Sequence, residues 1–172
     1  FESALAVSPD SIQPLSQLIK SHLALGQKDV AENRLREVIE LNEGNFVAHN
    51  LSGELQLASK AYDDAAASFN KAIELKADWA IPYRNLASTL IAQEKSDDAI
   101  GIMEKGIEAT NGAPLLVTGL ASYLERTGNL DSAITQYRKL LVDTPNSALA
   151  VNNLAMLLIE YKDDAVSDTH LR

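Results

Sequence analysis

A spacing of 34 residues runs through this chain and decides its architecture. Alanine recurs at Ala31, Ala65, Ala99 and Ala133, and aspartate recurs in step at Asp29, Asp63, Asp97 and Asp131. A branched aliphatic side chain does the same at Ile39, Ile73, Ile107 and Leu141. Three residue types hold one register across four copies without an insertion. A unit this short cannot bury its own apolar face, so stability has to come from stacking each copy on the next. The copies are residues 12–45, 46–79, 80–113 and 114–147; residues 1–11 end a preceding copy and 148–172 open a further, partial one.

Each copy divides into two amphipathic helices. In the third, Tyr83, Leu86, Ala87 and Leu90 fall on one helical face, and Ala99, Ile100, Met103, Gly106 and Ile107 form a second stripe. The polar stretch 93–97 separates them. Gly26 and Gly128 occupy the same turn in the first and fourth copies, where a helix C-terminus favours left-handed backbone. The recurrent aspartate stands where the second helix begins, placed to cap free N–H groups and to meet the helix dipole. First helices are expected near 12–25, 46–59, 80–93, 114–127 and 148–161. Second helices are expected near 29–42, 63–76, 97–110 and 131–143, with a turn at Lys162-Asp163-Asp164 and helical stubs at both ends.

The composition agrees with an all-α chain. Hydrophobic residues reach 46% while aromatics are only 5%, so Ala, Leu, Ile and Val must build the core, as suits closely approaching helices. A net charge of −9 repels phosphate and argues against nucleic acid as a partner. No apolar run is long enough to insert directly into a membrane. The absence of cysteine removes disulfides, thiolate nucleophiles and Cys-ligated zinc. No nucleophile elbow, phosphate-binding glycine loop or zinc signature appears, so no enzyme activity, cofactor or metal is expected.

These residues resemble the tetratricopeptide repeat. The fourth copy carries Leu120, Ala121, Gly128, Ala133, Tyr137 and Pro145 in the family's register, and the second carries Gly53, Tyr62, Ala65, Phe69 and Ala72. The first copy departs most, with Ile19 at a small position and His22 at an aromatic one. Phe1, Ala4 and Pro9 match the end of a preceding repeat. The resemblance implies a right-handed α-solenoid of helix–turn–helix hairpins. It also implies a piece of a longer protein, since uncapped repeats expose apolar faces. The compartment stays open between cytoplasm and a bacterial periplasm or cell envelope. The run 152–158 resembles repeats of bacterial proteins tied to envelope and exopolysaccharide assembly.

In that family the first helices line a concave groove that holds a protein or peptide. The corresponding candidates are Lys20, Asn50, Glu54, Ile81, Arg84, Asn85, Ser88, Ile91, Leu115, Thr118, Ser122, Asn152 and Asn153, with Ser16 and Gln17 beside them. Amides offer pairing to a peptide backbone and aliphatics offer pockets, and the sparse charge implies weak dependence on salt. A subtype of the family grips a terminal carboxylate, but Leu115 stands where it needs lysine. Asn is also missing at its key position, which holds Lys20, Glu54, Ser88 and Ser122 instead.

The remaining chemistry-bearing residues read as structural. His22 and His49 occupy packing positions, and His170 has no partner set. The pairs Asp63-Asp64, Asp97-Asp98 and Asp163-Asp164 recur at helix starts, as dipole complements do. Trp79 is expected to pack between repeats. The leading expectation is a scaffold that binds a protein partner. The alternatives are a spacer that self-associates through truncated ends, and a docking arm for a catalytic domain lying elsewhere.

Overall fold

A computed structural model describes residues 12–169, with side-chain placement from 14 to 159. The expected features at Phe1, Ala4, Pro9 and His170, and the side chains of Asp163 and Asp164, lie outside the described residues. The described chain is helical throughout: α1 (Ile12–Ala24), α2 (Lys28–Leu41), α3 (Phe46–Ala58), α4 (Tyr62–Leu75), α5 (Ala80–Ala92), α6 (Ser96–Ala109), α7 (Pro114–Arg126), α8 (Leu130–Asp143) and α9 (Ala148–Thr169). From α1 to α8 each boundary falls within one residue of the expected one. The chain packs as two compact units that divide inside α6, between Ile102 and Met103.

In the first unit, α1, α2 and α3 close around Leu15, Ile19, Ala31, Leu35, Val47, Ala48, Leu51 and Leu55, all buried. Helices α3 and α4 then meet over Gly53, Ala65 and Phe69, and α5 adds Tyr83, Leu86 and Ala87. In the second unit, α7, α8 and α9 bury Leu116, Leu120, Ala121, Ala133, Tyr137, Leu140, Ala150 and Leu157. Each recurrent alanine is fully buried, at Ala31, Ala65, Ala99 and Ala133. A methyl group there lets two helix backbones approach closely, which a longer side chain would prevent.

The turns repeat as faithfully as the helices. After α1, Gly26 N–H donates to the Leu23 carbonyl and Gln27 N–H to that of His22, at 3.0 and 2.9 Å. The same pair of bonds recurs after α3 at Lys60 and Ala61, after α5 at Glu94 and Lys95, and after α7 at Gly128 and Asn129. This is the Schellman arrangement, whose penultimate residue must be left-handed. Accordingly φ is +71° at Gly26, +62° at Lys60, +61° at Glu94 and +79° at Gly128.

Two local expectations need correction. The recurrent aspartates do not stand at the cap: those positions are Gln27, Ala61 and Asn129, none of which makes a side-chain cap bond. Asp29, Asp63, Asp64 and Asp131 lie in the first turn, so they meet the helix dipole without capping. A side-chain cap is instead provided by Asn45, which accepts from Ala48 N–H at 2.9 Å at the start of α3. Second, no turn forms at residues 162–164; α9 continues through them to Thr169. A continuing helix satisfies each backbone N–H locally, whereas a turn is rewarded only when the helix after it packs back.

Candidate functional site: the first-helix cleft

Tetratricopeptide-like hairpins put successive first helices side by side, and in the first unit these are α1, α3 and α5. Between them opens a cleft of about 420 Å³. Its walls carry Ser16, Gln17 and Lys20 from α1, Asn50 and Glu54 from α3, and Ile81 and Arg84 from α5. Side chains that are 34 residues apart in sequence, or nearly so, meet here because each repeat offers the same face.

Three further residues line the cleft that sequence reasoning did not place in it: Val47, Leu51 and Trp79. Val47 and Leu51 are core residues whose edges reach the floor. Trp79 precedes α5, and its ring meets that of Phe46 edge-on, with centroids 5.2 Å apart. That contact lies within the second copy, and Trp79 also forms part of the cleft wall. An amphipathic aromatic at a repeat junction was the signal that could have revealed this second role.

The floor is held by a buried amide network. Asn50 Nδ2 donates to Glu54 Oε1 at 2.9 Å. Asn85 Nδ2 donates to the same oxygen at 3.0 Å and to Asn50 Oδ1 at 3.2 Å. Arg84 Nη2 donates to Asn85 Oδ1 at 3.2 Å. Asn50 and Asn85 are only 2% and 8% exposed, so their polarity is spent tying α3 to α5. Lys20 and Arg84 are exposed. The sequence candidates on these helices thus divide into residues that bind α3 to α5 and residues that face outward.

The other candidates fall elsewhere. Ser88 returns its hydroxyl to the Arg84 carbonyl at 3.0 Å, and Ile91 is half-buried one turn beyond. In the second unit, Leu115 is exposed and Thr118 donates to the Pro114 carbonyl at 2.6 Å. Ser122 and Asn153 both meet the hydroxyl of buried Tyr137, at 3.1 and 3.0 Å, joining α7 and α9 through α8. Asn152 is exposed on α9.

The histidines do structural work. His22 Nδ1 pairs with Gln27 Oε1 at 2.9 Å and His49 Nε2 with the Glu43 carbonyl at 3.0 Å. Asp63 accepts from Gln93 Nε2 at 2.8 Å, linking α4 to the end of α5. Beside Trp79, the hydrogen bond and charge of Lys76 hold the Asp78 carboxyl below its ordinary range. Burial pushes the Tyr83 phenol up. Among the described residues no group of acidic or histidine side chains is arranged to hold a metal, and no helix is long and apolar enough to cross a membrane.

Comparison with known proteins agrees with this architecture. A thermophilic tetratricopeptide protein of Thermus thermophilus superposes with a TM-score of 0.70 at 18% identity, over 92% of this chain and 87% of that one. The crystal structure of MamA gives 0.63 at 22%, over 86% of each chain. YrrB, a tetratricopeptide protein with an unusual peptide-binding site, gives 0.58 at 17%, over 94% of this chain and 83% of that one. Among curated proteins none matches the sequence. The tetratricopeptide repeat family matches residues 17–79 and 84–148, well over half of the length. The 34-residue register, the hairpins with their Schellman turns and this match together make the chain a member of the tetratricopeptide repeat family.

Proposed function

We propose that this chain is a scaffold whose first helices hold a protein or peptide partner, with the cleft between α1, α3 and α5 as its principal contact surface. The family is one of protein–protein interaction modules, which supports the general role. The cleft is the observation that supports the location. Seven candidates read from sequence line it, and the lining mixes the apolar side chains of Val47, Leu51, Trp79 and Ile81 with polar ones. Such a surface accommodates an extended segment or a helix, with aliphatic contacts for affinity and polar ones for register. YrrB offers a precedent for peptide binding on this fold at low identity.

The test is capture of the native partner from cell extract on immobilised protein. Arg84→Glu and Ile81→Asp are checked first for unchanged helicity. Each should lower capture at least about tenfold, the effect of losing roughly 1.4 kcal/mol. Retention by both, with loss on changing exposed residues of α2 and α4, would place the contact on the second helices instead. Asn50 and Asn85 are poor choices for this test, because their removal unties α3 from α5.

A particular exposure favours a second reading in which copies of the chain associate. On α9, Leu149, Met156 and Ile159 share a stripe and are 57, 61 and 60% exposed.

A further inference from the structure

The cleft carries more information than its shape. The chain has 24 acidic side chains against 15 lysines and arginines. Lys28, Arg34, Lys71 and Lys76 each pair with a carboxylate, at 2.9 to 3.4 Å. Lys20 and Arg84, like most cations among the described residues, have no ion-pair partner, and they are the two that line this cleft. Glu54 is the sole acidic residue of the lining. Its Oε1 already accepts from both Asn50 and Asn85. Arg84 spends a single N–H on Asn85, and the rest of its fork of donors is left for another acceptor.

We infer that the cleft recognises an acidic segment of the partner, carboxylate side chains reaching Lys20 and Arg84 while a neighbouring apolar residue lies against Trp79 and Ile81. This rests on the reading of the cleft as a binding surface and adds the chemistry of what it takes. Two cations against one carboxylate leave the lining with a net positive charge within an otherwise acidic chain. That local sign attracts a carboxylate, and the wider charge of −9 rejects a partner that is acidic throughout. The occupant is therefore a short acidic patch on a chain of mixed character. The expectation of weak salt dependence is revised accordingly, because partly exposed ion pairs are screened as ionic strength rises.

A peptide-display library of random sequence, fused so that no free C-terminus is presented, provides the probe. The bait is the whole chain, as wild type and as the Lys20→Glu/Arg84→Glu double variant with helicity confirmed. Trp79 is the chain's one tryptophan and lines the cleft, so its fluorescence reports occupancy for each synthetic peptide recovered. Peptides retained by wild type should be enriched in Asp and Glu several-fold over the library and should shift the Trp79 emission. They should bind the double variant about tenfold or more weakly, and weaken as NaCl is raised. Peptides that shift Trp79 without acidic enrichment, and that the double variant retains, overturn the acidic chemistry and leave the cleft as a binding surface. A library that yields nothing able to shift Trp79 overturns both.

Discussion

Gly53 is the residue at which this fold is least forgiving. A Cβ built there would sit 2.6 to 2.9 Å from three atoms of the Phe69 ring, and that ring is fully buried. In an exposed helix, replacing glycine by alanine stabilises by about 1 kcal/mol. Here the helix cannot take the methyl group unless Phe69 or the α3–α4 spacing gives way, and overpacking costs roughly 1–3 kcal/mol. The packing cost exceeds the propensity gain. Gly53→Ala should therefore lower the urea midpoint, and the double variant Gly53→Ala/Phe69→Leu should recover part of the loss. A raised midpoint in the single variant would show that the contact is slack. The third and fourth copies place Ala87 and Ala121 at this same point and the first places buried Ile19, so the need for glycine arises from Phe69 in the second copy in particular.

At the scale of the element, the Schellman turn recurs with a residue that its backbone does not always suit. Gly26 and Gly128 accept a positive φ without strain, but Lys60 and Glu94 hold +62° and +61° with a Cβ in place. Left-handed backbone costs a side-chain-bearing residue about 1–2 kcal/mol, offset in part because glycine loosens the unfolded chain. Lys60→Gly and Glu94→Gly should each raise thermal stability, by roughly 0.5–1 kcal/mol, and should add, since the turns do not share partners. A fall in melting temperature for either would mean that its side chain contributes something the turn geometry does not reveal. These elements were also the most legible part of the sequence. The amphipathic stripes, Gly26, Gly128 and the 34-residue step place α1 to α8 to within one residue. The end of α9 was not legible, because residues 162–164 turn only if a later helix packs back to reward the break. The amide network was hidden for a related reason. Asn50 and Asn85 read as ligand-facing in the repeat register, and only the proximity of α3 and α5 turns them toward each other.

For the whole molecule, packing is a matter of neighbours. Within each unit a helix touches the next one or two along the chain, α1 with α2 and α3, α3 with α4 and α5, α7 with α8, and α8 with α9. Among the described residues no distant segment returns to cover an exposed face, which leaves the stripe on α9 in contact with water. If copies associate, this stripe is the surface that joins them. Light scattering over a concentration series should show a mass rising above the 18.6 kDa of one chain. Met156→Lys/Ile159→Lys should hold it at that value. A flat profile for the wild type would remove the second reading.

Packing between neighbours also governs how such a chain answers a pull. Where strands from opposite ends of a protein are zipped together, tension meets one large resistance and then none. Within each unit, and among the described residues, each hairpin is anchored only to those beside it, so hairpins there can yield singly and at modest load. A chain held at its two ends would lengthen in a staircase of short extensions and recover by the same steps. The amide tie between Asn50, Glu54 and Asn85 joins two successive hairpins across one of these seams. It would act as a rivet there, making that seam among the last to open.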